Sequence, residues 1–325
     1  MDLNTYSTEI TNYTVNVIIP IGLVFLSLSI FVFSRKNLNK TNMGFLYTWQ
    51  CGADMAAILI YFLFIRISFG IGAQVSNLSD FSCRILGLVS RTSIHLPSWI
   101  NVIISFDRFI QVHYRGRIVW IKSKIKLTVL ILTTLFGIMI CNIPNMLRSL
   151  KETQFQIRIN NTLANRTLWI CTFSDELTLA TDILSTIVRT YLPFVLISTF
   201  NLILVKELFL SKVNLKMKNQ RKEIQFTIVV LLISIAFFLF NSPISIVFII
   251  NNLFRFNESV RPFINSQLLS FVLNITTNLA YWYQCLNFFF NLMFNSLFRD
   301  EVLIILRIKK EISIASDSNL SSLHK

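Results

Sequence analysis

Seven apolar stretches occupy most of this 325-residue chain, at roughly 15–33, 44–69, 84–113, 125–147, 180–210, 222–252 and 264–295. Crossing the hydrocarbon layer takes about twenty apolar residues in a helix. Within lipid the backbone must satisfy its own hydrogen bonds, so stretches of this length are expected to be helices. Composition agrees. Charged residues are 14% of the chain and hydrophobic ones 54%, with Phe alone occurring 30 times. Mean hydropathy is +0.61, whereas a soluble domain carries about a quarter charged residues. The expected fold is an all-α membrane protein, a seven-transmembrane helix bundle with a short amphipathic eighth helix. No Pro/Gly/Ser-rich linker, internal repeat or low-complexity block interrupts the spans, and there is little room for a separate soluble domain.

The formal net charge is +14, which raises a nucleic-acid reading. The placement of the charges answers it. Arg35, Lys36 and Lys40 follow span one; Arg115, Arg117, Lys122, Lys124 and Lys126 follow span three. Lys212, Lys216, Lys218, Arg221 and Lys222 lie between spans five and six, and Arg299, Arg307, Lys309 and Lys310 follow span seven. All these segments fall on one side of the bundle, which the positive-inside rule makes cytoplasmic. The other loops are mixed in sign. No nucleic-acid partner is expected.

The organisation expected is an extracellular N-terminus over 1–14, a seven-transmembrane domain over 15–297, an amphipathic helix over 298–307 and a cytoplasmic tail over 308–325. The first thirteen residues lack Lys and Arg, so a cleaved secretion signal is not expected and span one itself targets the membrane. Glycosylation sequons at Asn12, Asn77, Asn160, Asn165 and Asn257 all fall on the expected outside. Those at Asn39 and Asn319 fall inside, where they are inert.

Span three opens with Cys83 and closes with Asp107-Arg108-Phe109, and Arg108 follows Cys83 by 25 residues. As a helix this covers about 37 Å, interface to interface. A charged pair at the end of such a span is costly to desolvate and marks function. The arrangement resembles the third helix of rhodopsin-like (class A) G protein-coupled receptors, and the resemblance extends over about residues 15 to 307. It implies an extracellular disulfide from Cys83, with Cys171 as its partner in the outer loop after span four, and an Arg108 that meets the G protein. Asp54 in span two matches the family's intramembrane carboxylate. Pro193 and Pro243 match the kinking prolines of helices five and six. Asn287 keeps the first position of the seventh-helix motif.

The chain also departs from that pattern. Phe288 and Asn291 replace the Pro and Tyr of the seventh-helix motif, Asn241 stands for a Trp, and Leu26 stands for an Asn. Span four lacks the usual Trp. Pro97 occupies the place of a sodium-contacting hydroxyl, which counts against a sodium site at Asp54. Asp54, Asn287, Asn291 and Asn241 together form the expected intramembrane polar switch. The Phe-rich sixth span, Asn287-Phe288-Phe289 and the short third inner loop resemble invertebrate neuropeptide receptors of the FMRFamide-receptor-like group.

Expectations about the ligand come from charge. Ser90 stands where amine receptors carry an Asp, so biogenic amines are not expected. Arg66, Arg84, Arg91 and Arg189 lie in the outer halves of the spans with Asp182 and Glu176 nearby. Guanidinium forks grip carboxylate or sulfate, although Arg66 and Arg84 are as well placed to snorkel. Arg91 and Arg189, with Ser90 and Tyr281, are the expected ligand contacts, and Trp282 and Tyr283 extend that wall. The ligand class expected is a peptide or small anion. Cys51, Cys141 and Cys285 read as small buried residues. His95, His113 and His324 are isolated, no Cys/His set has metal-ligand spacing, and neither cofactor nor enzymatic activity is expected.

On the inner side, Arg108 is expected to pair with Asp107 and with Glu223. Glu223 precedes Pro243 by twenty residues, about 30 Å of helix, which puts it level with Arg108. The partners implied are a heterotrimeric G protein and, through Ser313, Ser316, Ser318, Ser321 and Ser322 of the tail, arrestin and a receptor kinase. Val302, Leu303, Ile305 and Leu306 of the amphipathic helix are expected to face membrane lipids. The alternative class is a multi-span transporter or channel, which calls for internal repeats and paired broken helices.

Overall fold

A computed structural model describes residues 3–71, 75–113, 123–159, 162–212, 220–256 and 265–306. Helix α1 (Leu3–Tyr13) continues through a π turn (Thr14–Ile18) into α2 (Ile19–Ser34), so the first span begins well before residue 15. Arg35 turns extended and ends α2. A short α3 (Lys36–Asn39) then leads to α4 (Asn42–Ile71), α5 (Asp80–His113) and α6 (Lys124–Asn142). The fifth span is α7 (Asp175–Thr186), a π turn (Ile187–Tyr191) and α8 (Leu192–Lys212). The last long helices are α9 (Gln220–Phe256) and α10 (Ser266–Phe294), followed by α11 (Ser296–Ile305). Asn265 starts α10 by accepting from the backbone N–H of Gln267 and Leu268, and Asn295 starts α11 by accepting from Phe298. These caps satisfy N–H groups that a helix start otherwise leaves unpaired.

Among the described residues, four stretches are long and apolar enough by length and composition to cross a membrane: Thr5–Ser34, Lys124–Leu147, Leu177–Glu207 and Ile228–Asn251. The remaining long helices α4, α5 and α10 carry the buried polar residues Gln50, Asp54, His95, Asn101, Asp107, Arg108, Asn278 and Asn287. Polar groups at the bundle interior with apolar groups outside is the pattern of membrane helices that line a functional axis.

Close packing sets the spacing of α2 and α10. A Cβ on Gly22 would run into the Cys285 side chain, so only glycine lets these helices meet. At one end of the bundle Phe33, Tyr47, Phe288, Phe298 and Phe25 stack in a ladder with ring centroids 4.8–5.7 Å apart. Phe298 is fully buried in it and fixes α11. Glu301 adds an ion pair to Arg35 Nε at 2.7 Å and accepts from Asn37 Nδ2 at 2.7 Å. Val302 is correspondingly buried. It turns toward the protein, not toward lipid, because Phe298 and Glu301 rotate that face of α11 inward.

At the other end, strands β1 (Ser149–Ile159) and β2 (Thr162–Thr172) form an antiparallel hairpin with Leu150 opposite Cys171. Cys171 is bridged to Cys83, their Cα atoms 5.5 Å apart. Two helix-end side chains hold the strands beside the bridge: Asp80 Oδ1 accepts from Leu150 N–H at 2.9 Å, and Asn77 Oδ1 accepts from Cys171 N–H at 3.0 Å. Cys51 and Cys285 are buried, but Cys141 is exposed, since α6 packs by only one narrow face and Cys141 falls off it.

Candidate functional site

Three polar sites lie along the bundle. The first, on the hairpin side, is cationic. Arg91 of α5 donates through Nη1 to Ser185 Oγ at 3.0 Å and pairs through Nη2 with Asp182 Oδ1 at 3.4 Å. Arg189 lies in the π turn of the fifth span and is buried. It donates to Asn241 Oδ1 at 3.5 Å, while Asn241 Nδ2 donates to the Phe237 carbonyl at 3.0 Å. The Tyr281 side chain is buried, and its ring stacks on Tyr61 with centroids 3.9 Å apart. Ser90 donates to the Gly87 carbonyl at 3.3 Å.

Arg148, in the link between α6 and the hairpin, is a residue of this site that sequence reasoning missed. Its guanidinium lies 4.7 Å from the Phe173 ring centroid. Its stem occupies the space left by Gly87, where a Cβ would come within 3.2 Å of Arg148 Cδ. Burial pushes this guanidinium down to about 10, with Arg91 acting in the same direction and Asp182 opposing, so it stays cationic at neutral pH. A glycine one helical turn below Cys83 was the available signal. Among the described side chains, then, this region gathers three guanidiniums, of which Arg91 pairs with the carboxylate of Asp182. Arg84 is exposed and donates to the Arg148 carbonyl at 3.3 Å. The side chains of Arg66 and Glu176 lie outside the described residues. Trp282 and Tyr283 are not part of this wall. The Trp282 indole donates to Thr14 Oγ1 at 3.1 Å in the first-span π turn, and Tyr283 reaches inward to the Ile233 carbonyl at 3.4 Å.

The second site surrounds Asp54, which is fully buried. Its Oδ2 accepts from Gln50 Nε2 at 3.2 Å and from Asn287 Nδ2 at 3.1 Å. Asn291 Nδ2 donates in turn to Asn287 Oδ1 at 3.1 Å. The structure thus joins Asp54, Asn287 and Asn291 but not Asn241, which belongs with Arg189. Gln50 was not anticipated, although a residue four before Asp54 must share its helix face. Further along, Asn101 of α5 donates to the Tyr283 hydroxyl at 3.4 Å. With the Tyr283–Ile233 bond this ties α5, α9 and α10 together.

The third site is Asp107-Arg108-Phe109. Both charged residues are buried, and Arg108 Nη2 meets Asp107 Oδ2 at 3.2 Å. Asp107 also accepts from Gln111 Nε2 at 2.6 Å and Asn42 Nδ2 at 3.1 Å. Charge-assisted bonds of this kind are what makes burying a carboxylate tolerable. Phe109 stacks with Phe200 of α8 at 5.7 Å. Glu223 is in the first turn of α9, but its side chain lies outside the described residues. The two histidines within the bundle are not isolated: His95 contacts Asn142 and Ser185, and His113 Nδ1 lies 3.2 Å from Glu207.

Of the sequons, Asn12 is exposed on α1, though the hydroxyl of its Thr14 is buried. Asn77 is half-buried against the hairpin. Asn160, the Asn165 side chain and Asn257 lie outside the described residues, as do the serines of the tail.

A long-helix bundle with a disulfide-held hairpin at one end and a buried Asp-Arg pair at the other defines a multi-pass membrane receptor of the seven-helix kind. Comparison with known families agrees: the family model described as 7 transmembrane receptor (rhodopsin family) matches residues 26–289. The chain belongs to the rhodopsin family of seven-transmembrane receptors, whose members are receptors and not enzymes and work between an extracellular ligand and a G protein. No curated protein matches the chain.

Proposed function

We propose that this receptor binds a peptide or a small anionic ligand at Arg91 and Arg189, with Ser90, Tyr281 and Arg148 around it, and activates a heterotrimeric G protein through Arg108. Three buried or half-buried guanidiniums against one carboxylate carry the ligand half of this reading. A site with surplus positive charge in a low dielectric favours an anion. The neuropeptide-receptor resemblance of the sixth and seventh spans supports the peptide form.

The buried Asp107–Arg108 pair carries the coupling half. Arg108 is a two-state latch, held at rest by Asp107 and by Glu223 and released to the G protein when α9 swings outward about Pro243. Arginine suits this role because it never loses its charge and pairs with two carboxylates at once. A ligand drives the change only by preferring the open form. The orientation follows the basic segments, with the N-terminus and hairpin outside and α11 along the inner membrane surface. Glycans on Asn12, Asn77, Asn160, Asn165 and Asn257 belong to the outer side. Arrestin and receptor kinase engage the serine-rich tail.

Nucleotide exchange on purified heterotrimeric G proteins, with the receptor in nanodiscs, tests the reading without a known ligand. Glu223→Ala is expected to raise ligand-free exchange, and Arg108→Ala to abolish it at equal protein level. Flat basal exchange in Glu223→Ala across a panel of G proteins overturns the latch.

A further inference from the structure

A small crevice, with room for about one water-sized group, opens between α5, α6 and the fifth span, lined by His95, Cys141, Asn142, Asn145, Thr181 and Ser185. It shares Ser185 with the Arg91 site. Its surroundings are apolar and exposed: Leu184 of the lining, and Ile140 and Ile143 beside Cys141 and Asn142 in the chain, all show at least a third of their surface. In a membrane bundle such a rim faces lipid, yet the floor is polar.

Counting hydrogens fixes what the floor offers. Asn142 Nδ2 donates both its protons, to the Ile138 carbonyl at 2.9 Å and to His95 Nδ1 at 3.0 Å. His95 therefore carries its proton on Nε2 and donates it to Ser185 Oγ at 3.1 Å. Arg91 Nη1 donates to the same oxygen at 3.0 Å. With both lone pairs engaged, the Ser185 hydroxyl has its own proton left to give. Asn145 Nδ2 is turned to the Asn142 backbone carbonyl at 3.0 Å and to Asn142 Oδ1 at 3.4 Å. That leaves the Asn145 side-chain carbonyl as an acceptor.

One donor beside one acceptor matches a neutral hydroxyl. A carboxylate meets the Asn145 oxygen unfavourably and finds a single donor. An ammonium meets Arg91 directly behind Ser185. The crevice holds about one water-sized group, so only a hydroxyl enters and its apolar remainder lies along the exposed rim. We propose that this crevice binds a hydroxyl-bearing amphiphile drawn sideways from the surrounding lipid, its hydroxyl held between Ser185 and Asn145. The assignment does not depend on which ligand or G protein the receptor uses.

The test is photo-crosslinking of the full-length protein in phosphatidylcholine nanodiscs, using a twelve-carbon primary alcohol with a diazirine near its hydroxyl. Adducts are expected on Cys141–Asn145 or Thr181–Val188. Unlabelled 1-dodecanol should compete about fivefold better than dodecane or dodecanoate, the equivalent of one net hydrogen bond. Asn145→Leu should remove that preference. Ser185→Ala should do the same and serves if the Asn145 variant does not fold. Adducts spread over all lipid-facing helices, or equal competition by dodecane, overturn the proposal.

Discussion

On the proposed reading, single side chains decide what this bundle recognises. Arg91 and Arg189 are held differently, Arg91 by a carboxylate and a hydroxyl and Arg189 by an amide alone. Arg189 thus keeps more of its charge available. Breaking one side of a desolvated charge pair costs about 2–5 kcal/mol. Once a peptide-library screen with a calcium or cyclic-AMP readout supplies an agonist, Arg189→Ala is expected to lower its potency by about tenfold or more on that scale. Arg91→Ala should act in the same direction, with surface expression unchanged in both. Unaltered potency in the pair of variants removes them from the ligand site. Asp182→Asn, which frees Arg91, is expected to raise affinity for an anionic agonist, measured by the same dose–response curve.

Between residue and bundle, two elements are held by few contacts. Helix α11 depends on Phe298, which is fully enclosed by Phe33 and Phe288. Removing a buried Phe ring costs about 3–5 kcal/mol. Phe298→Ala is therefore expected to lower the thermal midpoint in detergent and expose the Asn295–Ser296 junction to protease, while Phe298→Leu keeps most of both. The hairpin depends on the Cys83–Cys171 bridge together with Asp80 and Asn77. Loss of the bridge should impair surface delivery and ligand binding more than membrane insertion. Mass spectrometry of unreduced protein from membranes is expected to find both sulfurs joined, and two free thiols would contradict it.

At the scale of the whole molecule, most of the fold was legible because hydrocarbon imposes such a narrow choice. Apolar length reads directly as helix, and the seven long helices fall close to the seven apolar stretches. The hairpin was not foreseen. Its signal, Asn160-Asn161 between two runs of partly alternating residues, is weak beside the spans around it. The site was legible where charge stands in an apolar stretch, as at Asp54, Arg91, Asp107, Arg108 and Arg189. It was illegible where placement comes from packing: Arg148 fits beside Gly87, and Asn241 meets Arg189 instead of Asp54. The expected orientation has its own check. An epitope tag at the N-terminus should be reached by antibody on intact cells, and one at the C-terminus only after permeabilisation.

The π turn at Ile187–Tyr191 makes chain length itself a determinant of recognition. A regular α-helix advances about 100° per residue. Deleting one residue within that turn would leave Pro193 and everything after it in place. It would swing Asp182 and Ser185 around the helix axis by about that angle, away from Arg91. No side chain in the site would have changed identity, yet Arg91 would lose its partners and the crevice its donor. On the proposed reading, an insertion or deletion in the fifth span would alter what this receptor binds as readily as a substitution. Aligning two such chains by counting outward from the proline will misplace the pocket whenever only one of them carries the extra residue.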